Sequence, residues 1–404
     1  MIYSGIDIGS DTIKIVVARV NEKEFNVLAA VNVLSVGIKK GIIVDADLAS
    51  KSIILALDEV EKQLGFRPDK AIINVPFYDV GTNVYNGKCF FEGEVNGEDI
   101  ITCFKSSVSD IDDELEVVSV FPIDFTIDGK EKVQNPIGYV GKELDCRMII
   151  STVPKKIVYP YLEILTKCNV EVIDLSFGVN NDFYNLNVDE FKNSLGAIID
   201  IGNDKTEIGV FNKGLLIKGD TINIGSKLVD HDISYIYRLD KMTTRFLKEN
   251  NAMASSKYAD VKDEVVYVNN DNEEIKVNQF ELSQIVEARL EEILKNVKNS
   301  LNDLTNREIS YIIVTGGISN LPGFDYLLDK CFTNISHSIS MNIIGVRNNI
   351  YTSCVGMIKY YYDKLKIRGI SYTMYDDLSK LISDKKNNIH KKLLDDMKKY
   401  IEDN

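Results

Sequence analysis

Apolar and polar positions along this chain change period several times, and each change marks an element. Residues 5–20 open with a short apolar run, break at Gly9, Ser10 and Asp11, and resume as a β-rich run, the pattern of two strands joined by a turn. A helix is predicted next, with Asp47 as its N-cap, Leu48, Ile54, Leu57, Val60 and Leu64 on one side, and Gly65 as its stop. Residues 83–150, rich in Val, Ile, Phe and Tyr between Gly, Asp and Asn turns, predict mostly strands. Leu282, Ile285, Val286, Leu290, Ile293, Leu294, Val297 and Leu301 recur at helical spacing on a charged stretch, and their side reads as core. A strand at 311–314 then leads through Gly316 and Gly317 into an amphipathic run at 324–332. With 25 glycines, only 7 prolines and no low-complexity tract, the chain reads as a compact α/β protein.

One pattern occurs twice. Asp7-Ile8-Gly9-Ser10-Asp11 returns 193 positions later as Asp200-Ile201-Gly202-Asn203-Asp204, each time between an apolar run and a β-rich run. So long a period indicates a duplicated domain rather than a solenoid. Glycine lets backbone approach a phosphate closely, and successive N–H groups of the turn donate to its oxygens. A carboxylate just before each turn, Asp7 or Asp200, is placed to hold Mg²⁺ through water. A single Asp-Ile-Gly also serves any hairpin turn; two facing copies would clamp one nucleotide between two domains. Thr315-Gly316-Gly317, following its strand, offers bare backbone to a base or ribose.

Composition narrows the classes. At 404 residues and 45% hydrophobic, the chain can bury two to three cores at roughly 150 residues per domain. Lys+Arg at 47 against Asp+Glu at 61 gives a net charge of -14, which opposes phosphate-driven binding, so no nucleic-acid partner is expected. Six scattered cysteines without a Cys-x-x-Cys indicate neither a zinc site nor a disulfide framework, and point to a reducing, cytosolic compartment. No secretory leader and no span of about 18 apolar residues is expected, so membrane contact would be peripheral.

In this chain order the three turns resemble the phosphate-1, phosphate-2 and adenosine motifs of the actin/Hsp70/sugar-kinase ATPases. Four further segments narrow the resemblance to the FtsA family of bacterial cell-division proteins. They are Gly37-Ile38-Lys39-Lys40-Gly41-Ile42-Ile43-Val44-Asp45, Asn135-Pro136-Ile137-Gly138-Tyr139-Val140-Gly141-Lys142-Glu143-Leu144, Glu287-Ala288-Arg289-Leu290-Glu291-Glu292-Ile293, and Tyr351-Thr352-Ser353-Cys354-Val355-Gly356. The resemblance implies a duplicated actin-like (RNase H-like) ATPase fold, with a nucleotide cleft between two domains and a small inserted α+β subdomain, 1C. The implied parts are 1A at 1–82, 151–195 and 351–372, 1C at 83–150, 2A at 196–230 and 308–350, 2B at 231–307, a tether at 373–388 and an amphipathic helix at 389–404.

ATP and Mg²⁺ are the implied cofactors. Asp7, Gly9, Ser10, Asp11, Lys14, Asp200, Gly202, Asn203, Lys248, Gly316 and Gly317 would line the site, with Asp7 and Asp200 toward Mg²⁺ and the only candidates for catalytic work. Implied partners are the C-terminal tail of the tubulin-like protein FtsZ, received by 2B with Arg289, Lys295 and Lys298 as candidate contacts, other divisome proteins through 1C, and further copies of the chain in filaments. The implied role is an adaptor that anchors FtsZ filaments at the septum, on the cytoplasmic face of the cell membrane. A pilus-assembly adaptor and a small-molecule kinase of the same superfamily are the alternatives.

Three departures bear on turnover. Where family members carry Asp-x-Gly-Gly-Gly-Thr, this chain has Asn203, which tolerates left-handed backbone, and Asp204, whose carboxylate is expected beside the phosphates, with Lys205 to offset it. Arg245 stands where the family's ribose-binding glutamate is usual, so nucleotide binding with slow or no hydrolysis is expected. Between residues 174 and 189 there is no glutamine of the kind actins use to position water. At about 100° per residue, Ile389, Leu393, Leu394, Met397, Tyr400 and Ile401 share one arc, the pattern of a membrane-lying helix or of one docked on its own domain. Lys391, Lys392, Lys398 and Lys399 are balanced there by Asp395, Asp396, Glu402 and Asp403, so such an anchor would depend on copy number.

Overall fold

The structure, a computed structural model, describes residues 1–186, 191–332, 335–338 and 341–375. Strand β1 (Ile2–Ile8) carries apolar residues on both faces, with Ser4 and Asp7 as its polar exceptions, and is almost wholly buried, so it sits in the middle of a sheet covered on both sides. It pairs antiparallel with β2 (Thr12–Val20), which pairs with β3 (Phe25–Leu34). A small hairpin of β4 (Ile38–Lys39) and β5 (Ile42–Ile43) leads to helix α1 (Ala46–Leu64), and β6 (Lys70–Val75) returns parallel to β1.

Helix α1 begins earlier than expected. The Asp45 carboxylate, not that of Asp47, accepts from the N–H groups of Asp47 and Leu48. Its buried stripe is Ala49, Ile53, Ala56, Leu57 and Val60, while Leu48 and Ile54 remain exposed. The two alanines let the helix lie close to the sheet, a contribution that counting only large apolar residues overlooks. Gly65 closes the helix with φ 78°, as expected.

The chain then leaves the sheet to build a separate unit. Strands β7 (Gly81–Glu94), β8 (Leu115–Ile127), β9 (Glu131–Val133) and β10 (Val140–Pro154) form an antiparallel sheet in the order β7-β10-β8-β9, with α2 (Gly97–Val108) against it. This unit has its own core, including Cys89, Phe91, Cys103, Phe125, Leu144 and Met148. Stacked Phe121, Tyr184 and Tyr360 join it to the main body. Helix α3 (Lys155–Lys167), strand β11 (Glu171–Phe177) and helix α4 (Gly178–Leu186) complete the first domain, whose sheet runs β11-β6-β1-β2-β3.

The second domain repeats that sheet. Strands β12 (Leu195–Ile201), β13 (Thr206–Asn212) and β14 (Leu215–Ile222) form its antiparallel half. After α5 (Lys227–Tyr237), α6 (Lys241–Asn251), the hairpin β15 (Glu264–Val268) and β16 (Glu274–Asn278), and α7 (Gln279–Leu304), strand β17 (Tyr311–Thr315) joins β12 in parallel. Helix α8 (Phe324–Phe332) and β18 (Ser336–Ser338) complete the order β14-β13-β12-β17-β18, which matches the first sheet position for position. All the predicted core residues of α7 are buried except Ile285, which is half-buried beside α5.

Helix α9 (Thr352–Ile367) returns to the first domain and packs on α4 and β1. The segment beyond it stays on the body. The Met374 N–H donates to the Ile2 carbonyl, the Tyr3 hydroxyl to the Tyr372 carbonyl, and the Tyr375 hydroxyl to the Lys70 carbonyl. A tether beginning at 373 is therefore corrected: Thr373, Met374 and Tyr375 are part of the first domain, held by β1 and β6. The expected helix at 389–404, with all six of its apolar positions, lies outside the described residues.

Candidate nucleotide cleft

The two hairpins end in the same place. In each, the glycine N–H donates to a carbonyl three residues on, Gly9 to Thr12 at 3.1 Å and Gly202 to Lys205 at 3.0 Å. A Cβ would stand only 2.8 Å from the Thr12 oxygen or 2.9 Å from that of Lys205, so glycine is what allows turns this tight. The third turn meets the second: Gly316 adopts φ 98°, and a Cβ there would overlap the Ile201 carbonyl. Together these turns line a cavity of about 550 Å³ between the domains, to which Asp7, Gly9, Ser10, Asp11, Lys14, Asp200, Gly202, Asn203, Lys248, Gly316 and Gly317 all contribute.

The strand register decides which charges face the cavity. Asp7 lies opposite Lys14 on β2, and at the equivalent position of the repeat Asp200 lies opposite Glu207 on β13. Lys14 pairs with Asp7 at 2.9 Å, and Asn74 donates to the other Asp7 oxygen at 2.8 Å. Burial pulls the Lys14 pKa down, but the Asp7 carboxylate more than offsets it, and the net shift is upward. Glu207 is held by Lys205 and accepts from the Phe77 N–H. Asp200 is pushed up to about 7 by burial and by the neighbouring Glu207 and Asp7 carboxylates.

Behind them is a carboxylate that none of the sequence motifs marks. Asp182 of α4 is buried, lines the cavity, and has both oxygens without a hydrogen-bond partner. Burial and Asp200 raise its pKa well above the usual carboxylate range. Its signal in the sequence is the polar triplet Asn180-Asn181-Asp182 inside a helix that faces two apolar sheets. Glu207 has a plainer one, since the 193-residue repeat places it on Lys14.

These acidic groups make folding stability depend on pH. The folded state keeps a proton on Asp200 that the unfolded chain loses between about pH 4 and pH 7, so this group's contribution falls as pH rises and is flat above about 7. Without nucleotide or Mg²⁺, wild type is expected to lose about 2 kcal/mol relative to Asp200→Asn between about pH 5 and pH 8. Urea midpoints for both proteins across that range test this; a pH-independent difference would refute it.

Two family models match the chain, that for cell division protein FtsA over residues 197–356 and that for the SHS2 domain inserted in FtsA over residues 83–152. The chain belongs to the FtsA family. It is 28% identical over 384 residues to cell division protein FtsA of Bacillus subtilis, covering 91% of this chain and 85% of that one. It is also 28% identical over 365 residues to that of Enterococcus hirae, covering 89% and 82%. In fold it is similar to the PilM-PilN type IV pilus biogenesis complex (TM-score 0.59, 13% identity, 88% of this chain and 97% of that one). It is likewise similar to MreB5 of Spiroplasma citri bound to ADP (TM-score 0.55, 11% identity, 91% and 97%). The fold is thus the actin-like ATPase fold with the family's inserted domain, and the protein is a cell-division protein.

Against the family's usual FtsA pattern, the departures in this chain are resolved by contacts. Asp204 does not stand free beside the phosphate turn. Its carboxylate accepts from the Lys40 N–H at 3.1 Å and lies 3.4 Å from Lys227. Lys205 offsets Glu207 rather than Asp204 and lies over the Tyr78 ring. Asn203 keeps a negative φ, so its tolerance of left-handed backbone is not used. Lys248 is buried against Asp230 at 2.6 Å. Arg245 crosses the cleft to Asp11 at 2.7 Å and also holds Glu249 at 2.8 Å.

The residues present fit Mg²⁺ through water better than by direct ligation. Asp7 and Asp200 face the cavity and Asp182 has two unpartnered oxygens, yet among the described residues no three acidic, His or Cys side chains converge to hold an ion. Of the three candidate partner contacts, Arg289 is tied to Asp232 at 2.6 and 3.0 Å and to Glu292 at 2.6 Å. Lys298 donates to the Cys331 carbonyl, and Lys295 is exposed.

Proposed function

We propose that the protein binds ATP with Mg²⁺ in this cleft and works as a polymerising adaptor, holding FtsZ filaments at the cytoplasmic membrane of the septum. The observation that carries the reading is the pair of equivalent glycine turns facing one cavity, backed by the third turn at Gly316 and Gly317. Backbone N–H groups there would take the phosphates, Lys14 and Asn74 would hold Asp7 in place, and bound Mg²⁺ would neutralise phosphate charge beside Asp7 and Asp200. In this reading 1A carries the first turn, 2A the second and 2B the cleft cations of α6, while 1C meets other divisome proteins.

The FtsZ tail would seat between α5 and α7. There Tyr235, Ile236, Ile285 and Ala288 form an apolar groove of about 310 Å³, edged by Asp232, Arg289 and Glu292. Tyr235 is 80% exposed, which is a large apolar side chain left without cover. Because Arg289 is already paired, affinity would come from the apolar floor, with Arg289 fixing orientation. Co-sedimentation with FtsZ, or titration of its C-terminal peptide, should show binding that Ile236→Asp weakens about tenfold and Lys295→Ala leaves nearly unchanged. No wild-type binding at tens of micromolar would end the adaptor reading. Membrane attachment is expected through residues 389–404, and liposome flotation unaltered by their deletion would reject that anchor. Among the described residues no helix is long and apolar enough to cross a membrane.

A further inference from the structure

Among the described residues four cations line the cleft, and three of them are committed. Lys14 is paired with Asp7, Lys205 with Glu207 and Lys248 with Asp230, with side-chain exposures of 14%, 16% and 9%. Each sits beside the carboxylate it neutralises in a poorly hydrated place, where breaking the pair would strand a charge. Arg245 differs. It is 30% exposed, it projects from α6 across the mouth of the cleft, and its Nη1 meets Asp11 in the first phosphate turn while its Nε meets Glu249. Partly hydrated pairs of this kind exchange partners at little cost. A guanidinium also offers a planar fork that binds phosphate oxygens in pairs.

We propose that Arg245 is a phosphate-recognition residue, stored on Asp11 until a ligand arrives. This rests on the nucleotide reading of the same site. When a polyphosphate enters the turn formed by Gly9, Ser10 and Asp11, the Asp11 carboxylate becomes its like-charged neighbour, and Arg245 transfers from the carboxylate to the phosphate. Asp11 is then a competitor of the ligand for one guanidinium. The more phosphate charge the ligand carries, the more it gains from Arg245, so the residue favours tri- over diphosphate.

The two partners of one pair are therefore expected to respond in opposite directions, which a merely structural ion pair would not do. Affinities for Mg²⁺-ATP and Mg²⁺-ADP are measured by calorimetry on the full chain as wild type, Arg245→Gln and Asp11→Asn, each checked for an unchanged thermal midpoint. Arg245→Gln is expected to weaken ATP about tenfold or more and ADP less, since a hydrogen bond between charged groups is lost. Asp11→Asn is expected to strengthen ATP severalfold, because the competitor is gone. Both substitutions weakening ATP equally, or Arg245→Gln leaving it unchanged, would overturn the role assigned to Arg245 while leaving the nucleotide site standing. Absence of ATP binding by the wild type would overturn the nucleotide reading and this proposal with it.

Discussion

Replacing Gly356 by alanine is expected to cost about 3 kcal/mol of stability, the upper range for overpacking a tight core. A Cβ on this residue of α9 would overlap the backbone carbonyl of Asn181 on α4, so no side chain can rotate away to make room. The two helices approach here by backbone, and the contact is held from both sides. Asn181 donates to Ser176 of β11 and to Ser353 of α9 itself, and α9 is tied to β11 by Lys364 paired with Asp174 at 2.6 Å. Relief would need the helices to separate, which would unstack Tyr360 from Phe121, part it from the tilted ring of Tyr184, and loosen the inserted domain as well. Urea unfolding followed by tyrosine fluorescence should show the first transition moving to lower denaturant. An alanine variant within about 0.5 kcal/mol of wild type, the range of neutral surface changes, would show that the helices can part freely.

The second large effect is expected at Lys14. Replacing it by methionine keeps the stem but leaves the largely covered Asp7 carboxylate beside Asp200 and Glu207 with, among the described residues, only the Asn74 amide as a side-chain donor, a loss of about 3 kcal/mol, the lower end for an uncompensated charge out of water. Removing Asp7 at the same time, as Asp7→Asn with Lys14→Met, is expected to recover much of this, because the stranded charge goes too. Nucleotide affinity separates the two questions: it should be lost in both variants whether or not stability returns. A double variant no more stable than Lys14→Met alone would mean the pair is not what holds the cleft floor.

Much of this architecture is legible in the residues themselves. The duplication shows in Asp7 to Asp11 and Asp200 to Asp204 because a tight turn at a strand end tolerates few residues, and the same few recur wherever the geometry does. The α7 stripe is legible since a long helix on a sheet repeats its burial every three or four residues. Sequence patterns mislead where a residue's position depends on a distant neighbour. The α1 face turns on Ala49 and Ala56, whose value lies in how closely β2 and β3 let the helix approach. Residues 373–375 resemble the start of a tether because their partners, at Ile2 and Lys70, are over 300 residues away.

The candidate site divides in the same way. Sequence alone determined which backbone turns could cradle phosphate, which family the chain resembles, and that the body is too acidic to attract a polyanion by net charge. Tertiary structure decided where each charge is spent. Asp204 went to the Lys40 N–H and to Lys227, Lys205 turned to Glu207, Asp182 came up unpartnered beneath the cleft, and Arg245 reached across to Asp11. Turn geometry is a local property, set within four or five residues by sterics and backbone hydrogen bonds. Ion pairing is set by distance in space and by shared burial, and between Arg245 and Asp11 it joins residues on opposite walls of a cleft that the chain reaches only after closing two separate sheets.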